Sequence, residues 1–459
     1  PALGYLHRAG LLFCDLKPDN VIQTQDSLKL IDLGGVYRIG DTRSPIYGTA
    51  GYQAPEIEHA GPSVASDLFS AARMLAALCI DFEGHQSTLR FALPPAGDIP
   101  LFQRYDSLYQ LLCKATAPDP DDRFQSAEDM ADQLVGVLRE VVADETGAPV
   151  AAPSMLFTAD FRARPEGPDA QLLPALRVAT DDPAAGYLAT LAAVDPDELV
   201  GALRRAPERT VEVDLRLAQA LIDAREWDET HELLAEIERR DAWEWRAQWY
   251  RGVAALMQGL PFAARASFEV VYHAAPGELA AKLALGVCAE IAGESTVAAD
   301  WYEIVSRTDP GYTTATFGLA RCRLAGVDRA GALAAYGRVP ETSSAHDQAQ
   351  TARIRCLLDG GPRIDELCAA AACIDALAAD GEQHARLTAE LLRSALDLVA
   401  RDRGAEDPTV TLGGRPLVES ELRIGLERTY RSLAGVAANA SERIRLVDEA
   451  NRVRPRTWM

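Results

Sequence analysis

Beyond about residue 187 the apolar positions follow a helical, alanine-rich pattern, and that pattern repeats itself. Ala264, Ala298 and Ala332 stand 34 residues apart, and Phe268, Tyr302 and Tyr336 follow in the same register. So do Pro276 and Pro310, Gly252 and Gly286, and Cys288 and Cys322. Five columns that agree on one period mark a repeated supersecondary unit. Small residues at Gly252 and Ala264 let two antiparallel helices approach, the aromatic of the next column fills the gap, and the proline ends the second helix. In this phase the repeats cover residues 245–278, 279–312 and 313–346, and a weaker copy at 211–244 keeps Ala218 and Leu234 but lacks the proline. After residue 346 the helical pattern runs on to the end of the chain while most columns decay, as a terminal repeat that faces water is expected to do.

Ahead of the repeats the pattern is mixed. Short strand-like pieces at 21–22 and 28–33 precede helical runs at 66–79 and 126–142, the last opened by Ser126-Ala-Glu-Asp129 in the manner of a capping box. Between residues 145 and 182 periodicity fades, and Pro149, Pro153, Pro165, Pro168 and Pro174 interrupt any helix. The apolar Met155-Leu156-Phe157 predicts that this linker packs on a neighbour. The expected fold is therefore mostly α: a helical lobe with minor β over residues 1–142, a linker over 143–186, and an α-solenoid over 187–459. The period of 34 is that of the tetratricopeptide repeat. Such an array either props up its neighbour or presents a concave surface to a peptide, a partner subunit or a second copy of the chain.

Composition narrows the partners. With 459 residues the chain has room for about three domains of roughly 150 residues, and no apolar run is long enough to span a bilayer. A net charge of −22 would repel a phosphate backbone, which excludes nucleic acid as an expected partner. The eight cysteines form no C-x-x-C pair and lie mostly in apolar helical surroundings, against a zinc site or a disulfide framework and in favour of a reducing, cytoplasmic compartment.

The chemistry is concentrated in FCDLKPDN, residues 13–20. Phosphoryl transfer needs a carboxylate to orient the attacking hydroxyl, ligands for magnesium, and a cation near the transferred phosphate. Asp15 supplies the carboxylate, Lys17 the cation, and Asn20 a neutral oxygen ligand; Asp32 in LKLIDLGG adds a second carboxylate, with Gly34 and Gly35 expected to turn the backbone sharply. Further on, GTAGYQAPE (48–56) carries Thr49 and ends in Ala54-Pro55-Glu56, SDLFSAARML carries Asp67, and DPDDRFQSAEDM carries Arg123 where it can pair with Glu56. The ordered series is more specific than any one member.

In these motifs residues 1–142 resemble the C-terminal lobe of a eukaryotic-type Ser/Thr protein kinase. The resemblance implies ATP and magnesium or manganese as cofactors. Asp15 would be the catalytic-loop base, Lys17 the phosphate-contacting lysine, and Asn20 and Asp32 the magnesium ligands. Thr49 matches the threonine that bonds the catalytic Asp and Lys in Ser/Thr kinases. Glu56 and Arg123 would form the ion pair that fixes the substrate-binding loop, and Asp67 would hold the catalytic-loop backbone. Lobe, linker and repeats together resemble the actinobacterial protein kinase G family, whose members carry a rubredoxin-like metal module ahead of the kinase domain. That kinship implies a forkhead-associated-domain regulator of 2-oxoglutarate and glutamate metabolism as substrate. It also implies a cytoplasmic location, with peripheral membrane association or export in pathogenic relatives.

Two departures change the expectation. Phe13 and Cys14 stand where His-Arg usually precedes the catalytic Asp, so the cation that receives an activation-loop phosphate is absent. Cys14 is then either a redox-sensitive thiol or a packing side chain. Leu33 replaces the usual phenylalanine after Asp32. A complete kinase also needs a Gly-rich loop, a strand lysine and its helix glutamate, and no such segment precedes residue 13. The chain therefore reads as the C-terminal portion of a kinase that is inactive by itself. The alternative is a pseudokinase-like lobe fused to a repeat scaffold that acts as a protein-binding module; on either reading the repeats are expected to bind a peptide or to self-associate, as a homodimer.

Overall fold

The computed structural model describes residues 1–25, 27–41, 43–159, 167–168, 170–191, 194–377 and 381–455; of the linker prolines, Pro165 lies outside them. The fold is mostly helical, with three two-stranded sheets among the described residues. It divides into one unit of Pro1–Thr158 with Leu173–Ala292 and another of Ala159–Leu172 with Gly293–Met459.

In the first unit the helix Val64–Cys79 lies at the centre of the lobe. Ser63 opens it with a reciprocal cap, its hydroxyl accepting from the Ser66 amide while the Ser66 hydroxyl accepts from the Ser63 amide. Its Leu68, Ala72 and Ala76 pack with Phe102, Leu111, Leu112 and Val137 of neighbouring helices in one buried cluster. The helix Ala127–Thr146 begins at Ser126, whose hydroxyl accepts from the Asp129 amide at 3.0 Å, and runs past residue 142 to a left-handed Gly147. Two antiparallel pairings, Val21–Gln23 with Leu28–Leu30 and Leu11–Leu12 with Tyr37–Arg38, bring the 13–20 and 31–36 loops side by side.

The same unit holds repeat helices as far as Ile291. Gly252 of the helix Trp245–Met257 faces Phe268 of the helix Pro261–Ala274 so closely that a Cβ would lie 2.6 Å from the ring. Trp249 meets Phe268 edge-on at 5.1 Å, and the linker's Phe157 meets Trp249 at 4.7 Å. Of the apolar triplet expected to dock, Phe157 is fully buried while Met155 is exposed. Lys282 is buried and donates to Glu140, which also accepts from Ser107 at 2.6 Å. Tyr272 donates to Asp106 at 2.8 Å, and a Cβ on Gly136 would lie 2.3 Å from the Gly277 carbonyl oxygen. Lobe and repeat thus share buried hydrogen bonds and a glycine–glycine backbone approach.

In the second unit Gly318 of the helix Thr313–Ala325 lies under Tyr302 of the helix Ser295–Thr308, a glycine–aromatic contact between successive repeats where Gly252–Phe268 lies within one. The expectation that helix continues to the chain end is corrected. Asp407–Leu412 and Arg415–Leu417 form a hairpin between the helices Gly381–Arg401 and Glu419–Val436. Gly413 and Gly414 turn it with φ of 53° and 73°, the conformation that a two-residue hairpin loop demands. Leu412 and Leu417 bury themselves among Leu392, Leu422 and Leu426, which fixes the hairpin on the helices.

Candidate active site

Alternation of apolar and polar side chains gives the 13–20 loop its two sides. Phe13, Cys14 and Leu16 are buried, which leaves Asp15 and Lys17 on the accessible side. Asp67, buried on the central helix, accepts from the Phe13 amide at 2.8 Å and the Cys14 amide at 2.9 Å, and His7 Nε2 lies 2.9 Å from the same carboxylate. Those bonds hold Cys14 at φ 66°, a left-handed conformation that costs a non-glycine residue about 1–3 kcal/mol. Burial pushes the Cys14 thiol up to about 12, and the Asp67 and Asp15 charges add to it. Such a thiol is not a thiolate at neutral pH, so packing, and not redox sensing, is the role its surroundings favour.

Four polar side chains converge above that floor. Thr49 donates to Asp15 Oδ1 at 2.7 Å and accepts from Lys17 Nζ at 2.8 Å; Lys17 also donates to Asp15 Oδ2 at 2.9 Å. Asn20 donates to the Asp15 carbonyl at 2.8 Å and to its Oδ2 at 3.1 Å. Partial burial works to raise the Asp15 carboxyl, yet the hydrogen bonds from Thr49, Lys17 and Asn20 outweigh it and hold it below the ordinary aspartate value. The Asp15 hydrogen bond holds Lys17 charged, above the usual lysine range. Asp15 is thus an ionised, oriented hydrogen-bond acceptor with a fixed cation beside it.

Asp32 is exposed on the neighbouring loop, and its charge reaches Lys17. The turn expected of Gly34 and Gly35 is made by Asp32 itself, at φ 57° and ψ 72°, with the Gly34 amide donating to its Oδ1 at 3.2 Å. Gly35 lies against the 13–15 backbone, where a Cβ would make ordinary van der Waals contact at 3.4 Å with Phe13 O and the Asp15 Cβ. No cluster of three His, Cys, Asp or Glu is present among the described residues. Asn20, whose amide NH₂ is spent on Asp15, and Asp32, with a second carboxylate oxygen beyond its Gly34 contact, fit a magnesium ion that takes its other ligands from phosphate and water.

The 48–56 stretch is tied down at its far end by Glu56. Arg123 donates to both Glu56 oxygens, at 2.8 and 2.9 Å, and to the carbonyls of Ala117 and Pro118. Its guanidinium also lies 4.8 Å from the Phe69 ring centroid. Two residues of this region carry no motif and escape sequence reasoning: His7, which meets Asp67, and Arg73, buried in the middle of SDLFSAARML. A charged residue inside an otherwise apolar helical run was the available signal for Arg73.

Comparison with known proteins agrees with this organisation. Residues 1–132 match the protein kinase domain, and residues 169–457 match the protein kinase G tetratricopeptide repeat. Serine/threonine-protein kinase PknG of Mycobacterium leprae is 39% identical over 318 residues, 62% of this chain and 41% of the relative; the PknG of Mycolicibacterium smegmatis is 37% identical over the same shares. The C-terminal part of a TPR repeat-containing protein from Cytophaga hutchinsonii covers 55% of this chain and 94% of its own, at 10% identity and a TM-score of 0.41. The chain spans about two fifths of the length of the curated relatives it matches. With a kinase lobe leading into a repeat region that the family's own model covers, this chain belongs to the protein kinase G family.

Proposed function

We propose that this segment supplies the acceptor side of an ATP-dependent protein kinase that phosphorylates serine or threonine. The observation that carries the reading is the Thr49 hydroxyl set between Asp15 and Lys17. An ionised Asp15 accepts the hydrogen bond of the incoming hydroxyl and aligns its oxygen, while Lys17 offers positive charge to the transferred phosphoryl group. Thr49 bridges the two beside their direct ion pair by occupying the other Asp15 oxygen, and Asn20 fixes the rotamer of Asp15 from the other side. Asn20 and Asp32 would hold magnesium, which neutralises phosphate charge when bound. Asp67, Glu56 and Arg123 support this arrangement from beneath and would not touch the substrate.

Because the 459 residues contain no G-x-G-x-x-G, they are proposed to give negligible transfer by themselves. Among the described residues no helix is long and apolar enough to cross a membrane. A cytoplasmic protein substrate fits the family, and the resemblance points to a forkhead-associated-domain regulator, with the repeats docking protein partners or a second copy. In the full-length chain that carries this segment, Asp15→Asn is expected to lower phosphate transfer to a protein substrate by about 10²–10⁴-fold. Transfer that survives unchanged would sink the assignment and leave the lobe as a binding scaffold.

A further inference from the structure

Arg73 is one of the largest fully buried side chains, 1% exposed, on the helix Val64–Cys79. Its guanidinium donates to four backbone carbonyls, and among the described residues no carboxylate pairs with it. Nε donates to Gly51 O at 2.8 Å, Nη1 to Ala92 O at 2.5 Å, and Nη2 to His85 O at 3.0 Å and Leu89 O at 2.9 Å. The Phe82 ring lies under it, 4.4 Å from centroid to Cζ. Burial pushes this guanidinium down to about 10, with Tyr52 acting in the opposite direction. A buried cation with no counter-ion is an expensive way to fill space, since an apolar side chain of similar volume packs there without losing hydration. What it gains is geometry, because a planar fork with five donors can hold several carbonyls in one fixed arrangement.

The carbonyls it gathers come from two segments. Three belong to the 82–92 loop after the helix, and the fourth is Gly51, in the middle of the 48–56 stretch. Gly51 sits at φ +89°, where a Cβ would lie 2.7 Å from His85 O, so the two segments touch at the atoms Arg73 holds. Next to it the Tyr52 ring packs edge-on against His85 at 5.7 Å. The 48–56 stretch is therefore fixed at three points: Thr49 on Asp15 and Lys17, Gly51 on Arg73, and Glu56 on Arg123. The outer two are legible from the motifs; the middle one is not.

We infer that Arg73 is a positioning residue for the peptide substrate: through the Gly51 carbonyl it sets the surface on which the residue next to the phosphoacceptor rests beside Asp15. The inference rests on the phosphotransfer reading above. It places specificity for that neighbouring residue in the 50–53 backbone and not in a charged side chain.

Two measurements test it. In the full-length kinase, Arg73→Met is expected to raise the KM for a peptide substrate about tenfold, to change kcat less than about threefold, and to flatten the preference for the residue next to the phosphoacceptor in a peptide library. Arg73→Lys should not rescue, because an ammonium cannot span the four carbonyls. Gly51→Ala should reproduce the KM effect from the other side of the contact, which keeps the test open if Arg73→Met does not fold. In residues 1–459, hydrogen exchange of the 50–53 amides should accelerate about tenfold in Arg73→Met while the helix Asp106–Ala115 keeps its protection. Transfer that depends on Asp15 but shows unchanged KM and unchanged neighbour preference in both the Arg73→Met and Gly51→Ala variants would overturn the inference, as would full rescue by lysine. Independence from Asp15 would instead count against the kinase reading, and the exchange measurement would still decide whether Arg73 braces the loop.

Discussion

The loops of the lobe's site and the recurring columns of the repeats are held by different kinds of buried residue. In the lobe, Glu56, Asp67, Arg73 and Arg123 are all below 9% exposure, and each has partners between 12 and 67 positions away in the chain. In the repeats, the recurring buried columns are Ala264, Ala298 and Ala332 with the aromatics Phe268, Tyr302 and Tyr336, and the close contacts of Gly252 and Gly318 are with rings sixteen residues away in sequence. Repeated packing between near neighbours builds a scaffold out of small side chains. A site that must hold several loops at fixed distances needs directional bonds between remote segments, and it accepts buried charge to obtain them.

The contrast can be broken most sharply at Glu56. Glu56→Ala leaves Arg123 buried with carbonyls only, and should cost about 3–5 kcal/mol in urea unfolding of residues 1–459. A paired Glu56→Leu and Arg123→Met replacement should recover much of that loss, since both charges then leave the interior together. A double variant as unstable as the single one would show that volume, and not unpaired charge, governs the site. In the repeats the matching change is Gly318→Ala, whose Cβ would come within 2.4 Å of the Tyr302 ring. Overpacking there should cost about 1–3 kcal/mol, read from the same unfolding curves, and Tyr302→Leu in the same chain should relieve part of it. An unchanged midpoint for Gly318→Ala would mean that the helices separate without penalty.

Smaller effects sharpen the lobe. Because hydrogen bonds depress the Asp15 carboxyl in the folded state, its contribution to stability is present above the unfolded value of about 3.9 and is lost as pH falls through the lower folded value. Asp15→Asn should therefore flatten the acid side of the stability profile below about pH 4 and leave the slope between pH 5 and 8 unchanged. A slope that changed near neutrality would contradict an ionised Asp15. Smallest of all, iodoacetamide at neutral pH should label the exposed Cys79 before the buried Cys14, with its thiol held up at about 12. Faster labelling of Cys14, followed by mass spectrometry of the peptides, would restore the redox reading.

Local pattern sufficed for much of the architecture. The helix boundaries of the clear repeats follow the 34-residue columns, because each glycine–aromatic contact is made between helices adjacent in the chain, sixteen residues apart, within one repeat for Gly252–Phe268 and across successive repeats for Gly318–Tyr302. The Ser126 cap was likewise legible, since a cap involves residues three apart. The hairpin at 407–417 was missed although Thr-Val-Thr-Leu-Gly-Gly is a turn signal, because the flanking helices dominated the periodicity. The sequence places the turn after Asp32 at the glycines, whereas hydrogen bonding from the Gly34 amide stabilises the left-handed conformation at the aspartate itself.

By itself the sequence determined the order and spacing of the polar residues in FCDLKPDN and the motifs behind it, because that spacing is a covalent fact. Only the tertiary structure decided how they are held. Asp67 beneath Cys14, Arg73 beneath Gly51 and Lys282 against Glu140 join positions 22–142 residues apart, and no local pattern records which buried charge will meet which carbonyl or carboxylate. Such partners are selected when burial removes water and leaves each polar group to be satisfied by whatever the fold brings within reach.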